Sequence, residues 1–412
     1  MRNGLWALIA CFLIIACTAP IPVLPGESPA QPLVPLATTA ALPTLSPEPT
    51  KPQDSTPGFP IAPAHPTLAN WPGFVSTDPI RLAWFYKQPA DGDLEYIAQN
   101  HDFFIMTRRD EVDRDHMKQL GATAPFFQYL LLMEIHNPDD CDRRPFSNNV
   151  AYETGDYCWI AEEHPDWFLR DSDGEIVTKD QTVYMDPASA GFRQFWIERA
   201  RRAQEELGWD GIYIDNVYAS LYKFEDRSIT LEKYPHDESL RAAVEDFLHL
   251  IRNSYAKPAG KPVFANILPH EEADTWLRYM RWLDGAFVEA FAVDWDEDYI
   301  DPEDWEEQLI RLRQVQREGK FLVLVSQSDD IDDSERQTFA LASYLLINEG
   351  TAFFRYGHHS EYTTARLYDN YALDLGQPLG PAEKTGSSWR REFTNGSVTV
   401  DPDKQEAEIQ LN

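Results

Sequence analysis

The chain has 412 residues, enough for one large domain or two ordinary ones. Its 68 acidic residues face only 36 Lys and Arg, for a formal net charge of −32. A field of this sign repels nucleic acid and anionic headgroups, so we expect no nucleic-acid partner and favour neutral or cationic ones. A solvated acidic surface that keeps an exported protein soluble explains the same charge.

The N-terminus resembles a bacterial lipoprotein signal. A basic start at residues 1–3 precedes an apolar run at residues 5–16, and Ile14-Ile15-Ala16-Cys17 closes the run. The resemblance implies that Cys17 is lipidated and becomes the mature N-terminus. An ordinary secretory signal and an uncleaved anchor are the alternatives. All three export the protein, so we expect a location in the cell envelope outside the cytoplasm, or secretion, with membrane contact only through the lipid at Cys17.

Residues 18–70 form a segment rich in Pro, Ala, Thr and Ser, without a hydrophobic period. Such a composition cannot bury a core. It predicts a disordered tether that holds a domain away from the membrane and contributes nothing to folding.

Apolar runs of strand length alternate with helix-period segments after about residue 78. The eight runs are residues 80–86, 103–107, 125–132, 211–216, 262–267, 285–291, 321–326 and 351–356. Apolar stripes that begin at Phe192, Leu240 and Trp305 indicate amphipathic helices between them. The alternation predicts an α/β fold, a (β/α)₈ barrel over residues 71–380.

A long connection of about eighty residues separates the third and fourth predicted strands. It contains Cys141, Cys158 and a predicted hairpin turn, Asp171-Ser172-Asp173-Gly174. Export makes a disulfide between the two cysteines plausible, and a loop of about 17 residues would be stabilised by roughly 3 kcal/mol. A connection this long is usually functional, and it predicts one wall of a site.

The C-terminal segment, residues 381–412, is too short for a domain. Asn395-Gly396 lies between strand-like residues and predicts a hairpin that packs against the barrel.

Two carboxylates are the strongest candidates for chemistry. Asp215 ends the fourth predicted strand, and Glu289 lies near the end of the sixth within an apolar run. The C-terminal ends of barrel strands carry the chemistry, and facing carboxylates are what glycoside hydrolysis needs. The alternatives are a helix cap or a loop aspartate at Asp215, and an arginine-paired Glu289 on the barrel wall.

Polar side chains at the other strand ends are candidates for binding sugar hydroxyls and rings, although each also fits a purely structural role. The candidates are Tyr86, Arg108, Asn216, Asn266, Gln327, Arg355 and Tyr356. The sequence has no HxH, HExxH, Walker or GxGxxG pattern. We therefore expect neither a metal nor a cofactor.

Several motifs resemble the hypothetical glycosyl hydrolase barrels related to the α-galactosidase and α-amylase superfamily. They are Met185-Asp186-Pro187-Ala188, the segment Trp209-Asp210-Gly211-Ile212-Tyr213-Ile214-Asp215-Asn216, Val288-Glu289-Ala290-Phe291, Gly376-Gln377-Pro378-Leu379-Gly380 and Phe393-Thr394-Asn395-Gly396. The resemblance covers about residues 78–400. It implies a TIM barrel with Asp215 as nucleophile and Glu289 as acid/base. The glutamate departs from relatives that use aspartate on the sixth strand.

The sequence as a whole predicts a lipid-anchored glycoside hydrolase, with a retaining mechanism implied by the resemblance, that acts on an extracellular poly- or oligosaccharide. Two alternatives stay open. One is a non-catalytic carbohydrate-binding surface lipoprotein, since a fold does not determine a function. The other is an endo-galactosaminidase-like enzyme, whose barrels carry a similar fourth strand. The sugar, its linkage and the oligomeric state are open as well.

Overall fold

Eight parallel strands form one sheet in the computed structural model, which describes residues 68, 71, 74–85, 93–269, 272–294, 298–360, 362–363 and 365–412. In spatial order they are β1 (Ala83–Phe85), β2 (Phe103–Met106), β3 (Phe126–Leu131), β7 (Gly211–Tyr218), β8 (Val263–Leu268), β9 (Gly285–Val288), β10 (Phe321–Ser328) and β11 (Ala352–His358). A parallel bridge between Leu82 and Phe354 joins the first strand to the last. The predicted (β/α)₈ barrel and its eight strands are confirmed.

Helices follow most of the strands and cover the outside of the sheet. They are α1 (Leu94–Asn100), α2 (Glu111–Gln119), α3 (Asp156–Glu163), α4 (Ala190–Glu206), α5 (Tyr222–Glu225), α6 (Asp237–Ile251), α7 (Lys257–Ala259), α8 (Ala273–Met280), α9 (Pro302–Arg317) and α10 (Ser334–Ile347). The three predicted apolar stripes fall on α4, α6 and α9, which bury those faces. Within the described residues, no helix combines the length and the apolar character needed to cross a membrane.

Aromatic side chains fill the lower interior of the barrel. Phe103 stacks on Phe127 at 4.7 Å between ring centroids, and Phe264 lies 4.8 Å from Phe127. The rings fit because the neighbouring strands begin with glycine. A Cβ on Gly211 would lie 2.5 Å from the Phe127 ring, and one on Gly285 would lie 2.2 Å from the Phe264 ring. The core is therefore packed at its N-terminal base.

The N-terminal end of the barrel is covered by residues that precede the first strand. Leu68 is fully buried, and Phe74 lies 4.8 Å from Phe321 and 5.1 Å from Phe353. Trp71 donates its indole N–H to the carbonyl of Thr123 at 2.9 Å. The predicted tether therefore ends too late at residue 70, because Leu68 belongs to the barrel core. The predicted signal, with Cys17, and tether residues 18–67 lie outside the described residues.

The long third-to-fourth connection folds as a small subdomain. Its three-stranded sheet has the order β4 (Glu134–His136), β6 (Thr182–Tyr184), β5 (Thr178–Lys179). Cys141 and Cys158 are joined in a disulfide, with 5.8 Å between their Cα atoms. The Asp171 carboxylate accepts the N–H groups of Asp173 and Glu175, which closes the predicted turn.

The C-terminal segment is larger than the predicted hairpin. It forms a four-stranded antiparallel sheet of β12 (Glu383–Thr385), β13 (Ser388–Phe393), β14 (Gly396–Asp401) and β15 (Glu406–Leu411). The hairpin at Asn395-Gly396 is its centre. Arg391 is buried and donates to the carbonyls of Leu345 and Asn348 at 2.9 and 2.8 Å. The C-terminal sheet thus contacts α10 and supplies a donor for carbonyl groups at the C-terminal end of this helix.

Candidate active site

A polar layer closes the C-terminal mouth of the barrel. Side chains alternate along a strand, so residues two positions beyond an inward apolar residue also point inward. The inward residues Tyr213, Phe264, Phe287, Val325 and Phe353 are followed in this way by Asp215, Asn266, Glu289, Gln327 and Arg355. The change from apolar to polar residues therefore occurs near the C-terminal ends of these five strands.

A β-bulge shapes the end of β7. The pairing with β8 shifts between Ile214 and Val217, so that Asp215 and Asn216 together lie opposite one residue of β8. Asn216 has a φ of +54°, the left-handed conformation that asparagine tolerates better than most residues. This turn of the backbone directs the Asn216 N–H to Asp215 Oδ1 at 2.8 Å.

Asn266 connects the two candidate catalytic carboxyl groups. Its Nδ2 donates to Asp215 Oδ1 at 3.1 Å and to Glu289 Oε2 at 3.0 Å. Tyr129 donates its hydroxyl to the other oxygen of Asp215 at 2.5 Å. The two predicted carboxylates, separated by 74 positions in the sequence, therefore share one hydrogen-bonding residue.

The two carboxyl groups differ in the proton affinity that their surroundings impose. Burial, and then the charge of Asp215, raise the pKa of Glu289 to about 8. Burial also raises the pKa of Asp215, but hydrogen bonds from Tyr129, Asn216, Asn266 and Tyr213 oppose that shift. Since donors stabilise the ionised form, Asp215 is the better carboxylate and Glu289 the group that keeps a proton near neutral pH.

A third carboxyl group, Glu134, lies beside this pair. Asn216 donates its Nδ2 to both Glu134 oxygens at 3.1 Å, and the Tyr218 hydroxyl donates to Oε1. Burial is the main cause that raises the pKa of Glu134, and the charge of Asp215 adds to the effect. Lys223 acts in the opposite direction on Glu134 and Glu289.

The sequence did not single out Glu134, although a signal was present. It follows the apolar run Leu130-Leu131-Leu132-Met133, and a carboxylate beside such a run needs partners or a role. The same reasoning identified Glu289.

Three of the predicted sugar-binding residues join the cluster. Asn266 and Asn216 contact the carboxyl groups as described, and Gln327 donates to the Glu289 backbone carbonyl at 3.5 Å. A hydrogen bond from the Gln327 side chain also lowers the pKa of Glu289 against the larger effect of burial. Tyr86 lies outside the described residues.

The other three have different surroundings. Tyr356 occupies an outward position on β11 and packs edge-on against Tyr368, and its role toward substrate stays a prediction. Arg355 donates to the carbonyls of Phe85 and Tyr362, both at 2.8 Å. Arg108 pairs with Glu111 and Glu153 at 3.6 and 3.7 Å, which ties the end of β2 to the long connection; its role toward substrate stays a prediction.

A parallel (β/α)₈ barrel with acidic side chains at its C-terminal mouth is an architecture typical of glycoside hydrolases. Residues 129–397 match the profile of the hypothetical glycosyl hydrolase family 15, and the chain belongs to this family. The protein is accordingly a glycoside hydrolase, and the predicted family resemblance is confirmed.

Solved structures with similar folds were found at low sequence identity. The glycoside hydrolase domain of PelA from Pseudomonas aeruginosa is 16% identical, with 69% of this chain and 96% of that chain covered and a TM-score of 0.45. The maltogenic α-amylase AmyB from Thermotoga neapolitana is 12% identical, with 79% and 86% covered and a TM-score of 0.44. No curated protein matches the chain.

Proposed function

We propose that the protein is a retaining glycoside hydrolase in which Asp215 is the nucleophile and Glu289 the acid/base. The observation that carries the proposal is the bridge from Asn266 to both carboxyl groups. Their opposite tendencies to hold a proton support the division of roles.

The geometry of the bridge favours retention over inversion. The two N–H bonds of an amide nitrogen diverge by about 120°, so acceptors near 3 Å from it lie about 5 Å apart. Carboxyl groups of retaining enzymes are about 5–5.5 Å apart, and those of inverting enzymes about 6.5–9.5 Å. The shorter separation leaves no room for a water molecule between Asp215 and the sugar.

The reaction would proceed in two displacements. Asp215 attacks the anomeric carbon, the glycosidic C–O bond breaks, and the Glu289 proton passes to the departing oxygen. Water then attacks the same carbon and gives a proton to Glu289, and the Asp215 carboxylate leaves. The chain's own residues suffice for both steps.

The first experiment is a screen of the purified protein against a polysaccharide panel with reducing-end detection. On the best substrate, Asp215→Asn should remove most turnover and keep the fold. Glu289→Gln should do likewise, but should spare aryl glycosides whose leaving groups need no proton. Glu162→Gln, an exposed carboxylate on α3, is the matched control and should have wild-type rates. Full activity in both site variants contradicts the assignment.

The stereochemistry of the product tests the mechanism separately. Proton NMR of the first-formed reducing sugar should show the anomeric configuration of the substrate. The opposite configuration would indicate inversion. Sugar binding without turnover by the wild-type protein would favour the carbohydrate-binding alternative.

One observation favours an amino-sugar substrate. The net charge of −32 suits a cationic, deacetylated polymer, as the endo-galactosaminidase-like alternative requires. The panel should therefore contain acetylated and deacetylated forms of the same polymer. Cleavage restricted to neutral glucans would contradict this alternative.

We also propose that the enzyme is anchored outside the cytoplasm through a lipid on Cys17. The signal-like N-terminus supports this location, and the Cys141–Cys158 disulfide is typical of an oxidising compartment. Metabolic labelling with a radioactive fatty acid should mark the wild type but not Cys17→Ser. Equal labelling of both would refute the anchor.

A further inference from the structure

The buried contacts of Glu134 suggest a function for a carboxyl group outside the proposed catalytic pair. Glu134 is 6% exposed and begins β4, the first strand of the long connection. The connection is joined to the fourth barrel strand just before this point, where the Leu132 N–H donates to the Asp215 carbonyl at 3.2 Å. Glu134 thus lies two residues beyond a backbone hydrogen bond between the connection and Asp215.

Both oxygens of Glu134 accept from Asn216, and Oε1 also accepts from the Tyr218 hydroxyl. Asn216 Nδ2 lies 3.1 Å from each, a two-point contact that sets the rotamer of the asparagine. Asn216 is also the residue with φ of +54° whose N–H donates to Asp215 Oδ1. Glu134, Asn216 and Asp215 are thus linked by hydrogen bonds. Through Asn216, Glu134 can affect the orientation of the Asp215 carboxylate.

We propose that Glu134 is a positioning residue: it holds Asn216 in its left-handed conformation and so keeps the Asn216 N–H on Asp215. Even for asparagine the left-handed conformation is less favourable than the right-handed one, so a contact that fixes the side chain stabilises it. Removal of the contact lets the bulge relax and moves the Asp215 carboxylate away from the anomeric carbon. The inference rests on the proposed role of Asp215 as nucleophile.

The matched control is Asp186, a buried carboxyl group in the same connection. It is 1% exposed and accepts hydrogen bonds from the Tyr234 hydroxyl and from Lys233, the latter at 2.7 Å. Its neighbours are different from those of Glu134. Asp186→Asn should therefore destabilise the connection to a similar degree without a change in the geometry of the bulge.

The first measurement needs no substrate. In protein with isotope-labelled asparagine, the Asn216 amide proton is assigned by its loss in Asn216→Gly. Glu134→Gln should shift this resonance upfield, because the hydrogen bond to Asp215 lengthens. Asp186→Asn should leave it in place. An unchanged resonance in Glu134→Gln overturns the inference whether or not the protein hydrolyses any sugar.

The second measurement is a double-mutant cycle on the best substrate of the panel. Glu134→Gln should lower kcat by about 10- to 100-fold, since a small misplacement of a reacting group has effects of this size. KM should stay within about twofold. In the Asn216→Gly background the same change should have no further effect, because the residue that transmits it is gone.

Two results would overturn the proposal. An equal loss from Glu134→Gln in both backgrounds means that Glu134 acts independently of Asn216, for example on the substrate itself. Full kcat in Asn216→Ala, which keeps the N–H but removes the side chain that Glu134 contacts, means that this contact is not needed, and this variant decides the question even if Glu134→Gln fails to fold. A moved amide resonance in a protein without turnover would leave the positioning intact and refute only the proposed function.

Discussion

Glu289 shows at the scale of one residue how burial changes the proton affinity of a carboxyl group. Burial, and then the charge of Asp215, raise its pKa from 4.5 to about 8, against the opposing effects of Asn266, Gln327 and, at longer range, Lys223. An unfolded chain releases this proton near pH 4.5, whereas the folded protein retains it up to about pH 8. The stability that the group contributes is therefore complete below pH 4.5 and is lost as the pH rises to 8.

We predict that Glu289→Gln is more stable than the wild type at pH 8 and equally stable at pH 4. A pKa unit corresponds to about 1.4 kcal/mol, so the penalty removed is at most about 5 kcal/mol. Urea denaturation at the two pH values measures it. Asp284→Asn, a change to a carboxylate paired with Arg252 at 2.8 Å, should by contrast be destabilising at pH 8. A Glu289→Gln midpoint below that of the wild type at pH 8 would disprove the raised pKa.

The same protonation should limit catalysis. As the proposed general acid, Glu289 can act only while protonated, so kcat/KM should fall as the pH rises through about 8. In Asp215→Asn the charge that contributes to the raised pKa is absent, and the alkaline limb of any residual activity should move to lower pH. A limb that stays in place would show that burial alone sets the pKa.

The segment before β1 contributes to the barrel core, although its composition does not indicate this. Leu68, Trp71 and Phe74 close the base of the barrel. We predict that Leu68→Ala lowers the free energy of unfolding by about 2–5 kcal/mol, the usual cost of a cavity at a fully buried leucine. Val75→Ala is the control, because Val75 is 51% exposed and should change stability by less than about 0.5 kcal/mol. Equal effects in urea denaturation would contradict the role of Leu68.

Charge is the property that acts on the whole molecule. A net charge of −32 opposes the compact state by self-repulsion, which salt screens. The Debye length falls from about 30 Å at 0.01 M salt to about 8 Å at 0.15 M. We predict that the melting midpoint rises over this range of sodium chloride. A falling midpoint would mean that the surface ion pairs, such as Arg201 with Glu198 and Glu205, outweigh the repulsion.

Much of the architecture could be predicted because it depends on local patterns. Strands buried on both faces are apolar runs, and amphipathic helices repeat every three or four residues, so both can be read without knowledge of their partners. Asp215 and Glu289 were found in the same way, as carboxylates at the ends of such runs. The four-stranded C-terminal sheet was underestimated because β12 is exposed and polar, and because the alternation of Ala407, Ile409 and Leu411 in β15 is short.

The sequence by itself determined the barrel, its strand count and the pair of carboxylates at one rim, since each follows from the order of apolar and polar residues along the chain. The tertiary structure alone decided which side chains meet there. Asn266 bridges the pair, Glu134 reaches Asn216 from the long connection, and Tyr356 turns outward. The physical reason is that these contacts join residues far apart in the chain, and their distances are set by strand register, the bulge in β7 and the closure of the barrel.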